Sequence, residues 1–147
     1  VVADLERDEW PGFAGLLALV DHLIVSRDFA ARRTGEADPA AAARRLWAPD
    51  RQAVVVTCGS AGCWYVGAGR PEGPIHHPAY PVTVADSTGC GDVFHGAYAA
   101  ALARGLDLPG RVRFASVAAA LKATRPGGQA GIPTRAAVEA FLAGQAS

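Results

Sequence analysis

The 147-residue chain has no methionine, three cysteines, one lysine and no basic run, and each scarcity removes a class of protein. Cys58, Cys63 and Cys90 are odd in number and show no C-x-x-C spacing, so neither a disulfide framework nor a zinc site is expected. A reducing, cytoplasmic setting fits that usage. The only lysine, Lys122, does not follow a glycine loop, which removes a Walker A phosphate loop. Basic and acidic residues number 14 each, giving a net charge of zero, so nucleic acid is not an expected partner. No stretch approaches the ~18 apolar residues of a membrane span, and no signal-peptide pattern is visible. A chain that starts on the apolar run Val1-Val2-Ala3, without methionine, is expected to be part of a longer protein.

What is present is a core-forming composition, 50% hydrophobic and 19% charged, long enough for a packed domain. Strand patterns at Val1–Asp4, Leu23–Val25 and Ala53–Thr57 alternate with helical ones at Phe13–Val20, Asp28–Arg33 and Asp38–Trp47. Asp38-Pro39 supplies an N-cap followed by proline in the first turn. The nearly all-apolar Ala53–Thr57 predicts a strand buried on both faces, as in a parallel sheet. Cys63–Val66 and Ile75–His77, around a turn from Gly67 to Gly73, predict a hairpin. Val82–Val84 reads as a short strand, followed by helices from Asp92 to Arg104, from Pro109 to Thr124, and from Thr134 through Leu142. This alternation predicts an α/β fold with a mostly parallel sheet. His76-His77 are neighbours on a strand and point to opposite faces, which disfavours a shared metal. Trp10, Trp47 and Trp64 are expected to pack in the core or at its edge. Arg32-Arg33 and Arg44-Arg45 are expected on solvated helix faces.

The densest chemistry lies in Asp86-Ser87-Thr88-Gly89-Cys90-Gly91-Asp92. A glycine loop opening a helix presents backbone N–H groups and the positive end of the helix dipole to an anion. Gly89 and Gly91 allow close approach and positive φ, and Asp92 places a carboxylate on the first turn. Together they suggest proton removal beside a bound phosphate.

This segment, continued by Val93-Phe94, resembles the D-[ST]-T-G-A-G-D-x-F signature of the ribokinase-like (pfkB) carbohydrate kinases. Thr57-Cys58-Gly59-Ser60-Ala61-Gly62 is similar to that family's T-x-G-x-x-G strand end. Arg125-Pro126-Gly127-Gly128, followed by Ile132-Pro133, is similar to its late R-x-G-A…P loop. The resemblance runs over roughly residues 1 to 144. It implies a doubly wound α/β sheet with flanking helices, of which this chain is the C-terminal, ATP-binding portion. The N-terminal half and the small β lid would be absent, and with the lid the surface through which family members pair as dimers.

The implied activity is transfer of the ATP γ-phosphate to a sugar hydroxyl. The resemblance makes Asp92 the base and the backbone amides of Gly89, Cys90, Gly91 and Asp92 the anion hole. Thr57, Gly59 and Gly62 match the nucleotide edge, with Gly89, Gly91 and Gly128 nearer the phosphates. ATP and Mg²⁺ are the implied cofactors. Asp86 matches a position that helps hold a monovalent cation, K⁺, with carbonyls near Gly127 and Gly131. A kinase for a nucleoside or a vitamin alcohol, or a nucleotide-binding fragment without catalysis, are the alternatives.

Two departures stand out. Cys90 replaces the usual alanine, and a helix N-terminus is expected to lower its thiol pKa and speed alkylation. Ser26 and Phe29 stand where many relatives carry N-x-x-E. This weakens an Mg²⁺ contact there and tilts the expected substrate towards a ketose or modified ketose.

Overall fold

The computed structural model describes residues 1–68 and 73–145. They form two compact units, Val1–Pro78 and Ala79–Ser147.

The first unit is a five-stranded sheet in the order β1 (Val2–Asp4), β2 (His22–Ser26), β3 (Ala53–Thr57), β4 (Cys63–Gly67) and β5 (Ile75–His77). β1, β2 and β3 are parallel, and β4 and β5 continue the sheet as an antiparallel hairpin. The sheet and the flanking helices match the expected mostly parallel α/β architecture. Of the expected Gly67–Gly73 turn, residues 69–72 lie outside the described residues.

Leu23, Ile24, Val25, Val54, Val55 and Val56 are all fully buried, so both faces of β2 and β3 are covered. Helices α1 (Phe13–Ala18), α2 (Arg27–Thr34) and α3 (Pro39–Leu46) belong to this unit. Phe13, Phe29, Ala42, Ala43 and Leu46 from these helices build one core with Leu23, Val25, Val54 and Val56. Asp38 caps α3 by accepting from the Ala40 and Ala41 N–H groups, as its pairing with Pro39 predicts.

Arg51 binds this unit together in a way the sequence did not announce. Its buried guanidinium donates to the carbonyls of Leu17 (2.7 Å), Val20 (3.0 Å) and Leu46. Burial pushes its pKa down, and the three carbonyls are the compensation for taking the charge out of water. The paired arginines are exposed on helix faces, as expected, and three of them have partners among the described residues: Arg32 donates to Glu6 O, Arg33 pairs with Asp8 and Arg45 with Glu36. Trp64 packs on the His76 ring at 4.9 Å, and Trp47 packs against the core. Trp10 does neither. It is 57% exposed, because it sits in the loop before α1 rather than on a helix face.

The second unit contains α4 (Cys90–Ala103), α5 (Leu108–Ala123) and α6 (Arg135–Gly144). Val93, Ala101, Phe114, Val117, Ala118 and Val138 form its core. Val82–Val84 is not a strand. The segment has strand-forming residues, but its continuation is tied to a helix end: the Ala85 and Asp86 N–H groups donate to Ala123 O at 2.8 and 3.1 Å. Among the described residues no helix is long and apolar enough to cross a membrane.

Candidate active site

The helix N-termini show where chemistry is possible. α2, α3, α5 and α6 are each closed by a side-chain cap, from Ser26, Asp38, Asp107 and Thr134 respectively. α1 and α4 have none: the short α1 has Gly12 as its N-cap, at φ 87°, and no acid in its first turn, whereas α4 has Gly89, at φ 75°, and Asp92 in its first turn. The loop enters through Ser87, whose carbonyl accepts from the Cys90 N–H at 3.1 Å. Val93 N–H then makes the first helical bond, to Gly89 O. No other hydrogen bond among the described residues takes the N–H of Gly91 or Asp92. Two donors and the positive helix end are therefore left facing outward.

Glycine is required at 89 for a stated reason. A side chain there would combine a left-handed φ with a Cβ 3.3 Å from Gly128 O and 3.8 Å from Asp92 Oδ2. The late loop is thus brought against the glycine loop, and Gly128, Gly89 and Asp92 share one place. Gly91 differs. It has no left-handed φ, and a Cβ built on it meets no protein atom within 4 Å.

Asp92 is exposed and makes no hydrogen bond or ion pair among the described residues. It borders a largely apolar cleft of about 560 Å³, with Thr88, Gly89 and Gly128 at the same end and Arg104 farther along α4. Asp86 is in the opposite situation. Its Oδ1 accepts from Thr88 N–H and its Oδ2 from Gly127 N–H, both at 2.8 Å. The Thr88 amide and hydroxyl, then the Gly127 amide, with a smaller pull from the Lys122 charge, hold its carboxyl down at about 2. Asp86 is a staple between the two loops.

Thr57, Gly59 and Gly62 stand in the first unit and form an elbow of their own after β3. Cys58 N–H donates to Gly62 O at 2.8 Å, Gly62 N–H to Gly59 O at 3.0 Å, and Thr57 Oγ1 to Val25 O at 3.3 Å. Gly59 (φ 57°) and Gly62 (φ 86°) both need glycine's freedom. Ser26 and Phe29 are occupied structurally: Ser26 Oγ caps α2 by accepting from Phe29 N–H, and the Phe29 ring is in the core.

The expected low pKa of Cys90 is not found. Burial pushes its thiol up, as it does for Cys58, and outweighs the opposing pull of Lys122. No group of three or more His, Cys, Asp or Glu side chains converges on a metal position among the described residues.

The sequence model of the pfkB family carbohydrate kinases matches residues 5–135. The chain belongs to that family. This pfkB chain is 45% identical over 87 residues to a ribokinase of Bacillus subtilis, covering 59% of this chain and 29% of that protein. A putative ribokinase structure from Agrobacterium tumefaciens superposes with a TM-score of 0.82 at 35% identity, covering 97% of this chain and 46% of that one. A ribokinase structure from Arabidopsis thaliana, complexed with ribose and ATP, gives 0.81 at 28% identity, covering 96% and 46%. The pfkB chain therefore spans less than half the length of these relatives.

Proposed function

We propose that this chain is the ATP-binding, base-bearing portion of a kinase that phosphorylates a sugar hydroxyl. The observation that carries the reading is Asp92: an exposed, unpaired carboxylate on the first turn of α4, whose N-terminus no side chain closes. Phosphoryl transfer asks a protein chiefly for positioning and for charge stabilisation. The Gly91 and Asp92 N–H groups and the α4 dipole supply the second. Asp92 accepts the hydroxyl proton while the substrate oxygen bonds to the γ-phosphorus and the bond to the ADP oxygen breaks. The Cys90 amide, already held by Ser87 O, contributes less to the anion hole than its neighbours.

The elbow of Thr57, Gly59 and Gly62 is the proposed edge for the nucleoside, a role that rests on its resemblance to the family motif. Mg²⁺ would arrive with the nucleotide. It keeps several waters and is commonly held by phosphates with one or two carboxylates, so this chain needs no metal cage. Ser26 and Phe29, committed to a cap and to the core, add no acid to its shell. With N-x-x-E absent at this place of the family pattern, a ketose or modified ketose is the proposed acceptor, and the cytoplasm is the proposed setting.

The test is ADP release by the full-length protein with Mg·ATP over a panel of aldoses, ketoses and nucleosides. A sugar turned over with kcat/KM of about 10⁴ M⁻¹s⁻¹ or more is expected. Turnover of nucleosides alone would overturn the substrate class, and no ATP binding at all would overturn the kinase reading.

A further inference from the structure

Lys122, the one lysine of the chain, is completely buried. A buried ammonium is costly unless something answers it. It lies in the last turn of α5, where the helix dipole favours a cation, and its Nζ donates to the backbone carbonyl of Asp86 at 3.0 Å. The loop entry is strapped to the same helix end by the Ala85 and Asp86 N–H bonds to Ala123 O. The charge is therefore fixed at the first residue of the glycine loop.

The surroundings do not suit a potassium ion at the same place. Such an ion needs several oxygens to replace its water shell. Each Asp86 carboxylate oxygen already accepts one loop amide, and the Lys122 ammonium, bound to the Asp86 carbonyl at 3.0 Å, repels a second cation beside the same residue. Position 131 is a buried glycine without a side-chain oxygen. A Cβ there would stand 3.1 Å from both Lys122 O and Arg125 Cβ, which leaves no room to add one.

We propose that the Lys122 ammonium is the built-in counter-charge of the anion-hole loop and makes this site independent of a bound monovalent cation. The inference rests on reading the loop as a phosphoryl-transfer site. The ammonium and the staple meet at one residue: Lys122 Nζ holds the Asp86 carbonyl while the Asp86 carboxylate holds the Thr88 and Gly127 amides.

The experiment uses the full-length protein in about 0.1 M KCl or N-methylglucamine chloride, matched so that screening is equal. Melting temperature without nucleotide and Mg·ATP affinity by calorimetry are read in both salts. The same melting temperature, and affinities within about twofold, are expected. A potassium-specific rise of about 2 °C or more would overturn the proposal, as would roughly tenfold tighter ATP binding in potassium. Lys122→Ala is expected to bind ATP about tenfold more weakly in N-methylglucamine and to recover in part with KCl. Unchanged binding by that variant would also overturn it. If Lys122→Ala does not fold, the two-salt comparison on the unaltered protein decides. If ATP binds in neither salt, the kinase reading fails, while the nucleotide-free melting comparison still judges the lysine.

Discussion

Asp92 and Asp107 sit in the same unit, each at the start of a long helix, yet their surroundings give them different work. Asp107 is the N-cap of α5, and its Oδ1 accepts from Gly110 N–H at 2.9 Å. Asp92 lies two residues inside α4, beyond a glycine N-cap, and accepts nothing among the described residues. The helix dipole favours a negative charge at both places. What separates them is who satisfies the first-turn amides. Asp107 does so for α5, so that end is complete. At α4 the amides and the carboxylate are both left open, which costs the fold a cap and leaves a donor array beside an unpaired carboxylate.

The sharpest way to break this comparison is to neutralise each acid in the full-length protein. Asp92→Asn is expected to lower phosphorylation by about 10²- to 10⁴-fold, the range of a lost general base, with ATP affinity and melting temperature nearly unchanged. Steady-state kinetics and calorimetry check both halves. Near-normal turnover would remove Asp92 from the mechanism.

Gly91→Ala sharpens the point with one methyl group. Cβ atoms on a helix lean towards its N-terminus, and at Gly91 nothing in the protein stands in the way. Alanine also suits a helix better than glycine by roughly 0.5–1 kcal/mol. The variant is therefore expected to be at least as stable as the parent. Turnover should fall about tenfold or more, because a methyl leaning towards the helix N-terminus crowds a phosphate held by the Gly91 and Asp92 amides. Equal stability with undiminished turnover would show that no phosphate approaches there. Asp107→Ala should do the reverse, with a loss of about 1 kcal/mol in denaturant unfolding and unaltered kcat.

Signals between near neighbours in the chain were legible in the sequence, and those that depend on distant backbone were not. Asp38-Pro39 and Thr34-Gly35 mark helix ends through bonds spanning two to four residues, and both ends fall where expected. The apolar β3 needed only its composition. Gly89, Asp92 and Gly128 were legible through the family motif, and the structure brings them together. Arg51 gave no signal, because its partners are carbonyls, which every residue has, at Leu17, Val20 and Leu46. Lys122 read only as the missing Walker lysine, since nothing in its neighbours says that it is buried. Val82–Val84 misled because β-branched residues describe a preference, while a strand also needs a partner strand. Cys90 misled for a related reason: the helix end was visible in the sequence, but the burial that dominates its thiol was not.

The smallest expected effect concerns the acid that staples rather than the acid proposed to react. The folded-state carboxyl of Asp86 is held at about 2, below its ordinary 3.8. A carboxylate with a depressed folded pKa stabilises the fold at pH values above its unfolded pKa. That contribution fades as pH falls through the interval between the two values. Between pH ~4 and ~2 the parent protein should therefore lose melting temperature more steeply than Asp86→Asn, which carries no titrating group there. Above pH ~5 the parent should melt higher than the variant by a constant margin. The staple joins Thr88 and Gly127, the neighbours of Gly89 and Gly128. Its loss should therefore loosen the place where the two loops meet, and a shallower acid slope in Asp86→Asn should be accompanied by weaker ATP binding at neutral pH. Identical acid slopes would show that the two amide bonds are replaced by water at no cost, and the contrast between the two acids of this loop would then reduce to Asp92 alone.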